Sequence, residues 1–198
     1  MVTAIVLAAG ESRRMGALKP LLPYGPGSVI QAVVRSLKAS PVDRVLVILG
    51  HRSGEIAANL AGTGAETLFN PRYPEGMLTS VQAGVAAASP EAEWLLIALG
   101  DQPTLRPETV HALLQEGRNG PRGLVVPSYG NRRGHPLLIH ARYRDEIMAL
   151  EGEGGLRQLF QRHPEEVAYV VVPDPDVLAD MDTPEDYRRL LQRAAGEA

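Results

Sequence analysis

Hydrophobic residues fall along this chain in short solid runs and in helically spaced sets, one kind following the other. Thr3–Ala9, Arg44–Gly50 (RVLVILG) and Trp94–Leu99 (WLLIAL) are apolar at nearly every position. A run of strand length that is apolar at odd and even positions alike has two faces to bury, which suits a strand inside a parallel sheet. Glu66–Phe69, Leu124–Pro127, Pro136–His140 and Val167–Val172 read as further strands, with a Gly- and Arg-rich loop joining the second and third of these. Between the strands the spacing predicts helices over Val29–Lys38, Gly54–Leu60, Met77–Ala88, Pro107–Glu116, Glu146–Leu150, Leu156–His163 and Pro184–Ala195. Proline opens two of them, where its missing N–H costs little. The alternation predicts an α/β fold: a single three-layer α/β/α domain with a mostly parallel sheet. Such sheets bind ligands beyond the carboxyl ends of their strands. The strand-terminal stretches LAAG, GDQP and FNP should therefore share one edge.

The chain has 198 residues, enough for one large core, with no linker-like stretch to divide it. Its net charge of −3 argues against a general nucleic-acid binder, and its 5% aromatic content against a base-stacking RNA platform. Cysteine is absent, which excludes disulfides, thiolate metal sites and a cysteine nucleophile. No apolar run approaches the roughly 20 residues that span a bilayer. No basic leader precedes the first strand. A cytoplasmic protein that binds neither membrane nor nucleic acid is expected. Basic residues are nearly all arginine; Lys19 and Lys38 are the two lysines.

Lys19 lies in VLAAGESRRMGALKPLL, from Val6 to Leu22. Gly10 and Gly16 suggest a phosphate loop, but five residues separate them where a Walker A loop has four, and Pro20 follows the lysine. The dinucleotide fingerprint G-x-G-x-x-G is also missing. What remains is a strand-to-loop turn whose backbone N–H groups can face an anion, with Arg13, Arg14 and Lys19 nearby. Arginine offers a fork to phosphate and lysine a mobile point charge. A solvated basic turn is the competing reading. No G-x-S-x-G elbow or H-E-x-x-H pair occurs. His51, His111, His140 and His163 lack metal-ligand spacing.

LAAGESRRMGALKPLLP resembles the N-terminal signature of nucleotidyltransferases with a nucleotide-diphospho-sugar-transferase fold, a Rossmann-like architecture. Within them it is most similar to the molybdopterin cytidylyl- and guanylyltransferases. Four more stretches continue the resemblance in order: Asn70–Gly84 (NPRYPEGMLTSVQAG), Gly100–Pro103 (GDQP), Arg132–Leu138 (RRGHPLL) and Asp180–Tyr187 (DMDTPEDY). LAAG and R-G-H-P resemble the cytidylyl branch, whereas guanylyltransferases read LAGG. In GEGGLR (Gly152–Arg157), Glu153 and Leu156 stand where that branch often has Asp and Ala.

The resemblance implies a Mg²⁺-dependent enzyme that transfers CMP from CTP to the terminal phosphate of molybdopterin and releases pyrophosphate. Residues 1–103 would form the nucleotide half and residues 104–198 the acceptor half. Leu7, Ala8, Ala9 and Gly10 would lie along the nucleotide, and Arg14 and Lys19 would contact its triphosphate. Ser80 would help bind it, with Gly76 and Gly84 allowing close approach and Asn70 nearby. A surface serine and a turn asparagine are the plainer readings of Ser80 and Asn70. Asp101 and Asp182 would hold Mg²⁺, with Asp180 behind them. Asp101 also suits a turn before Gln102-Pro103, and Asp182-Thr183-Pro184 also reads as a helix start. Arg14, Lys19 and Asp101 would be catalytic. Arg133 and His135 would face the acceptor; a simple polar contact is the plainer reading of His135. A guanylyltransferase using GTP, another small phosphomonoester nucleotidyltransferase, and a non-catalytic carrier handing the cofactor to a molybdoenzyme are the alternatives.

Overall fold

The computed structural model describes residues 1–12, 15–152, 154–179 and 181–196. Arg13, Arg14, Glu153 and Asp180 lie outside the described residues. The strands are β1 (Val2–Ala8), β2 (Pro23–Tyr24), β3 (Gly27–Ser28), β4 (Arg44–Leu49), β5 (Glu66–Phe69), β6 (Trp94–Leu99), β7 (Leu124–Tyr129), β8 (Arg132–Arg133), β9 (Leu137–His140) and β10 (Val167–Val171). The helices are α1 (Val29–Lys38), α2 (Ser53–Asn59), α3 (Met77–Ala87), α4 (Pro107–Asn119), α5 (Arg144–Ala149), α6 (Arg157–Arg162) and α7 (Pro184–Gly196).

The main sheet runs β10-β7-β9-β6-β1-β4-β5, with β8 paired to β7, while β2 and β3 form a separate ribbon. Contacts among β1, β4, β5 and β6 are parallel, as is β10 with β7. Two features depart from the expected strands. Arg132 and Arg133, expected in a loop, form β8 antiparallel to β7, and β9 is antiparallel to both β6 and β7. The mostly parallel sheet therefore carries one reversed strand near its middle. Its carboxyl edge still gathers the ends of β1, β4, β6, β7 and β10.

Alternate residues of the central strands feed two cores. Ala4, Val6, Leu96 and Ala98 pack with Ile30, Val33 and Leu37 of α1, Ile56 of α2 and Leu113 of α4. Ile5, Leu95 and Ile97 pack on the other face with Val81 and Val85 of α3, Ile147 of α5 and Phe160 of α6. This is the two-sided burial that the solid apolar runs demand, and it produces the three layers. Val29, Met181 and Leu190 form a smaller cluster that seats α7.

Local chemistry sets where the chain turns. Ser28 caps α1: its hydroxyl accepts from the Gln31 N–H and the Gln31 side chain accepts from the Ser28 N–H, a reciprocal capping box. Gly100 closes the end of β6 against β1. Its N–H donates to the Leu7 carbonyl at 2.9 Å, and a Cβ there would fall 2.9 Å from that same oxygen. Only glycine lets the two strand ends approach this closely, and Asp101 follows directly.

Candidate active site

A cleft of about 750 Å³ opens over the carboxyl ends of β1 and β6. Residues 7–12 form its floor, and Tyr73, Pro74, Gly76, Met77 and Ser80 form one wall. Lys19, Leu99, Gly100, Asp101 and Asp182 close the other side. The Tyr73 ring leans over Gly50, where a Cβ would lie 2.5 Å from the ring carbon Cγ. This wall thus depends on a missing side chain at the end of β4.

At the charged end, three segments distant in sequence meet. The Lys19 ammonium donates to Asp101 Oδ2 at 3.1 Å and to Asp182 Oδ1 at 2.7 Å. Burial works against the ammonium, but hydrogen bonds and charge from Asp182 and Asp101 outweigh it and hold its pKa above the usual lysine value. The lysine side chain is 12% exposed and the two carboxylates are 30% and 37% exposed. All three line the cleft, the acids being the more open to it and the cation the more buried.

Each member is held separately. Ser12, at a left-handed φ of 54°, accepts the Lys19 N–H on its hydroxyl at 3.2 Å, folding the loop back on itself. A single 3-10 turn, Lys19–Leu21, then begins with Pro20 in its first turn. Asp182 arrives on a return segment laced across the sheet edge. The His135 N–H donates to the Val177 carbonyl at 2.9 Å, and Gln102 Nε2 donates to the Ala179 carbonyl at 2.9 Å. Thr183 and Asp186 then close a second reciprocal cap. The Thr183 N–H donates to Asp186 Oδ2 at 2.8 Å, and the Asp186 N–H donates to Thr183 Oγ1 at 3.2 Å. Asp182 stands at a helix start and also lines the cleft: its neighbours make the cap while its own carboxylate meets Lys19.

Of the residues expected to bind nucleotide, Leu7, Ala8, Ala9, Gly10, Lys19, Gly76, Ser80 and Asp101 line the cleft. Arg14 and Asp180 lie outside the described residues. Two others have a different place. Asn70 is buried and does not line the cleft; its amide donates to Thr79 Oγ1 and to Ser80 Oγ at 3.0 and 3.1 Å, so it orients the serine. Gly84 lies within α3 on its sheet-facing side, where a Cβ would come within 2.3 Å of Ile5 Cγ2; it lets the helix press onto β1. Arg133 and His135 are also absent from the cleft lining. Arg133 is exposed, with its guanidinium 5.0 Å from the centre of the Tyr169 ring. His135 is half-buried and precedes a cis peptide bond to Pro136. β8 sends its other arginine elsewhere: Arg132 lines a separate groove of about 420 Å³ with Tyr129, Arg189 and Arg193.

Gln102, Ser12 and Tyr73 were not singled out from sequence. Gln102 and Tyr73 sit inside motifs recognisable in the sequence, beside residues with more obvious chemistry. Ser12 sits in the glycine loop itself, at a position of the opening signature.

Asp101 and Asp182 supply hard oxygen donors converging on one cationic point. This is the donor type Mg²⁺ and Mn²⁺ accept, commonly as one or two carboxylates completed by water and phosphate. Among the described residues no cluster of three or more acidic or histidine side chains could hold a metal ion by itself.

Residues 4–167 match the model of the MobA-like NTP transferase domain. The chain is 28% identical to the molybdenum cofactor cytidylyltransferase of Escherichia coli K12, over 97% of this chain and 96% of that one. It is 31% identical to nicotine blue oxidoreductase of Paenarthrobacter nicotinovorans, over 96% of each. It is 27% identical to a probable molybdenum cofactor guanylyltransferase of Mycobacterium avium, over 98% and 97%. Among solved structures, Rv0371C of Mycobacterium tuberculosis H37Rv in complex with manganese superposes with a TM-score of 0.80 at 28% identity, covering 96% of this chain and 97% of that one. The glycine-floored cleft, its paired carboxylates and the match over most of the sequence lead to one assignment: the chain belongs to the MobA-like NTP transferase family and is a nucleotidyltransferase.

Proposed function

We propose that this enzyme transfers CMP from CTP to the terminal phosphate of molybdopterin and releases pyrophosphate, with Mg²⁺ as the metal. One observation carries the reading: Lys19, Asp101 and Asp182 converge beside a cleft whose floor is the glycine turn after β1. An acceptor phosphate oxygen attacks the α-phosphorus, the bond to the α,β-bridging oxygen breaks, and pyrophosphate departs with that electron pair. Both reactants are anions, so charge neutralisation and alignment dominate the barrier. Lys19 would meet the triphosphate, residues 7–10 would flank the base and ribose, and Ser80, held by Asn70, would hydrogen-bond the nucleotide. A metal ion held by Asp101 and Asp182 would neutralise phosphate charge. No general base is needed, because an acceptor phosphate is already ionised near neutral pH.

Residues 1–103 would supply most of the nucleotide site and residues 104–198 the acceptor site, with Asp182 reaching back into the first. Arg133 and His135 would meet the acceptor beyond the cleft. CTP is preferred to GTP because Ala8-Ala9 and Arg133-Gly134-His135-Pro136 resemble the cytidylyl branch. The test is product formation from molybdopterin with CTP, GTP, ATP and UTP in parallel, with Asp101→Asn as control. Product from CTP supports the reading, and product from GTP alone replaces cytidylyl by guanylyl transfer. Tight cofactor binding with no turnover on any nucleotide would favour a carrier.

A further inference from the structure

Resting on that reading, we propose that Lys19 acts as a placeholder for the divalent cation, so that metal binds productively only together with nucleotide. The ammonium lies within hydrogen-bond distance of one oxygen from each of Asp101 and Asp182, at 3.1 and 2.7 Å. A divalent ion drawing on the same two oxygens would need them at about 2.0–2.1 Å, in the space next to Nζ. Two cations cannot share that space without a strong repulsion. The backbone of Lys19 cannot yield, because Ser12 and the proline-led turn fix it. The side chain can, since an ammonium on a four-carbon stem reorients freely where a guanidinium fork would not.

The arrangement also says what releases it. The carboxylates are more exposed than the lysine, and the cleft they face is where the triphosphate would lie. Phosphate oxygens entering from that side offer the ammonium a new anionic partner. As Nζ turns to them, the two carboxylates become available to the ion that accompanies the phosphates. Nucleotide and metal affinities are then coupled through one side chain, and the coupling is the same from either direction. Resting charge also favours this order, since one ammonium already offsets much of the repulsion between two neighbouring carboxylates.

The test is Mn²⁺ binding to the intact protein, followed by electron paramagnetic resonance of the free ion, for wild type and Lys19→Met. Both are measured with and without a non-hydrolysable CTP analogue, and circular dichroism verifies folding. Without nucleotide, Lys19→Met should bind Mn²⁺ roughly tenfold more tightly than wild type. The double variant Lys19→Met/Asp101→Asn should lose that gain, which locates it at the pair. With the analogue, wild-type Mn²⁺ affinity should rise by roughly tenfold, and that of Lys19→Met by much less. Lys19→Gln replaces Lys19→Met should the latter fail to fold. Equal or weaker Mn²⁺ binding by the lysine variants, or an undiminished response to the analogue, overturns the proposal. None of these readouts uses the acceptor or turnover, so they stand apart from failure of the transferase reading, which is decided by product formation.

Discussion

Replacing Gln102 with leucine should loosen the site more than it loosens the fold. Gln102 is 6% exposed, and its amide reaches the Ala179 carbonyl at 2.9 Å, three residues ahead of Asp182. Leucine is close in volume, so the main loss is one hydrogen bond and the partner left behind. A buried carbonyl stripped of its donor costs about 1–3 kcal/mol. Ala179 is only half-buried and can recover some hydration, which places the cost near 1–2 kcal/mol. Against a domain stability of about 5–15 kcal/mol the chain remains folded. A chain of this size loses about 2–4 °C in Tm per kcal/mol, so a fall of roughly 2–8 °C is expected. If the same cost falls on docking of the return segment, about 1–2 kcal/mol means up to roughly 5- to 30-fold fewer molecules with Asp182 in place. Nucleotide-dependent Mn²⁺ affinity and kcat/KM should each drop by up to that factor. Thermal melting, Mn²⁺ titration and initial rates on one preparation read all three. A melting shift of the expected size with unchanged kcat/KM would refute the reasoning, and would mean that the His135 and Thr183 contacts hold the segment alone.

Asp101→Asn should lower kcat by at least about a hundredfold while leaving Tm within a few degrees, because the loss falls on charge stabilisation in the cleft; rate and melting measurements separate the two. Gly84→Ala should lower Tm by a few degrees. Crowding against Ile5 costs about 1–3 kcal/mol, and the better helix propensity of alanine returns only about 1 kcal/mol. His140 gives a pH signature. Burial, aided by the Arg142 charge, holds its pKa below the usual histidine value of about 6.5, and its Nδ1 accepts the Arg142 N–H at 3.1 Å. A lowered folded pKa contributes stability that is complete above the unfolded value and is lost as pH falls through the folded one. Urea unfolding at pH 7 and pH 5 should show a smaller acid loss for His140→Gln than for wild type.

Much of this architecture is written in local patterns. β4, β6 and α1 could be read directly because a solid apolar run, or apolar residues at helical spacing, declares its element without help from elsewhere. β9 could not be oriented, since Leu-Leu-Ile buried in a sheet looks the same whichever way the strand runs. β8 escaped notice because two exposed arginines carry no hydrophobic signal, and only β7 makes them a strand. The same divide separates the site residues. Lys19, Ser80 and Asp101 sit in motifs with recognisable chemistry, and all three line the cleft. Asn70 and Gly84 fall in the expected region, but the contacts they make within the protein, to a serine hydroxyl and an isoleucine methyl, lie outside any local pattern. Gln102 acts on a carbonyl far along the chain, a relation that no window of sequence contains.

The lacing of the return segment sets an order of events during synthesis. Lys19 and Asp101 leave the ribosome well before Asp182, and their pairing makes a neutral, unfinished corner beside the cleft. The second carboxylate lies beyond β10 in the chain, just past the residues that cross the sheet edge to Gln102. On the proposed reading, the carboxylate pair that would collect a metal–nucleotide complex is completed by residues synthesised late. A nascent or proteolytically shortened chain lacking that crossing would, on the same reading, keep Lys19 and Asp101 but hold only half of the carboxylate pair.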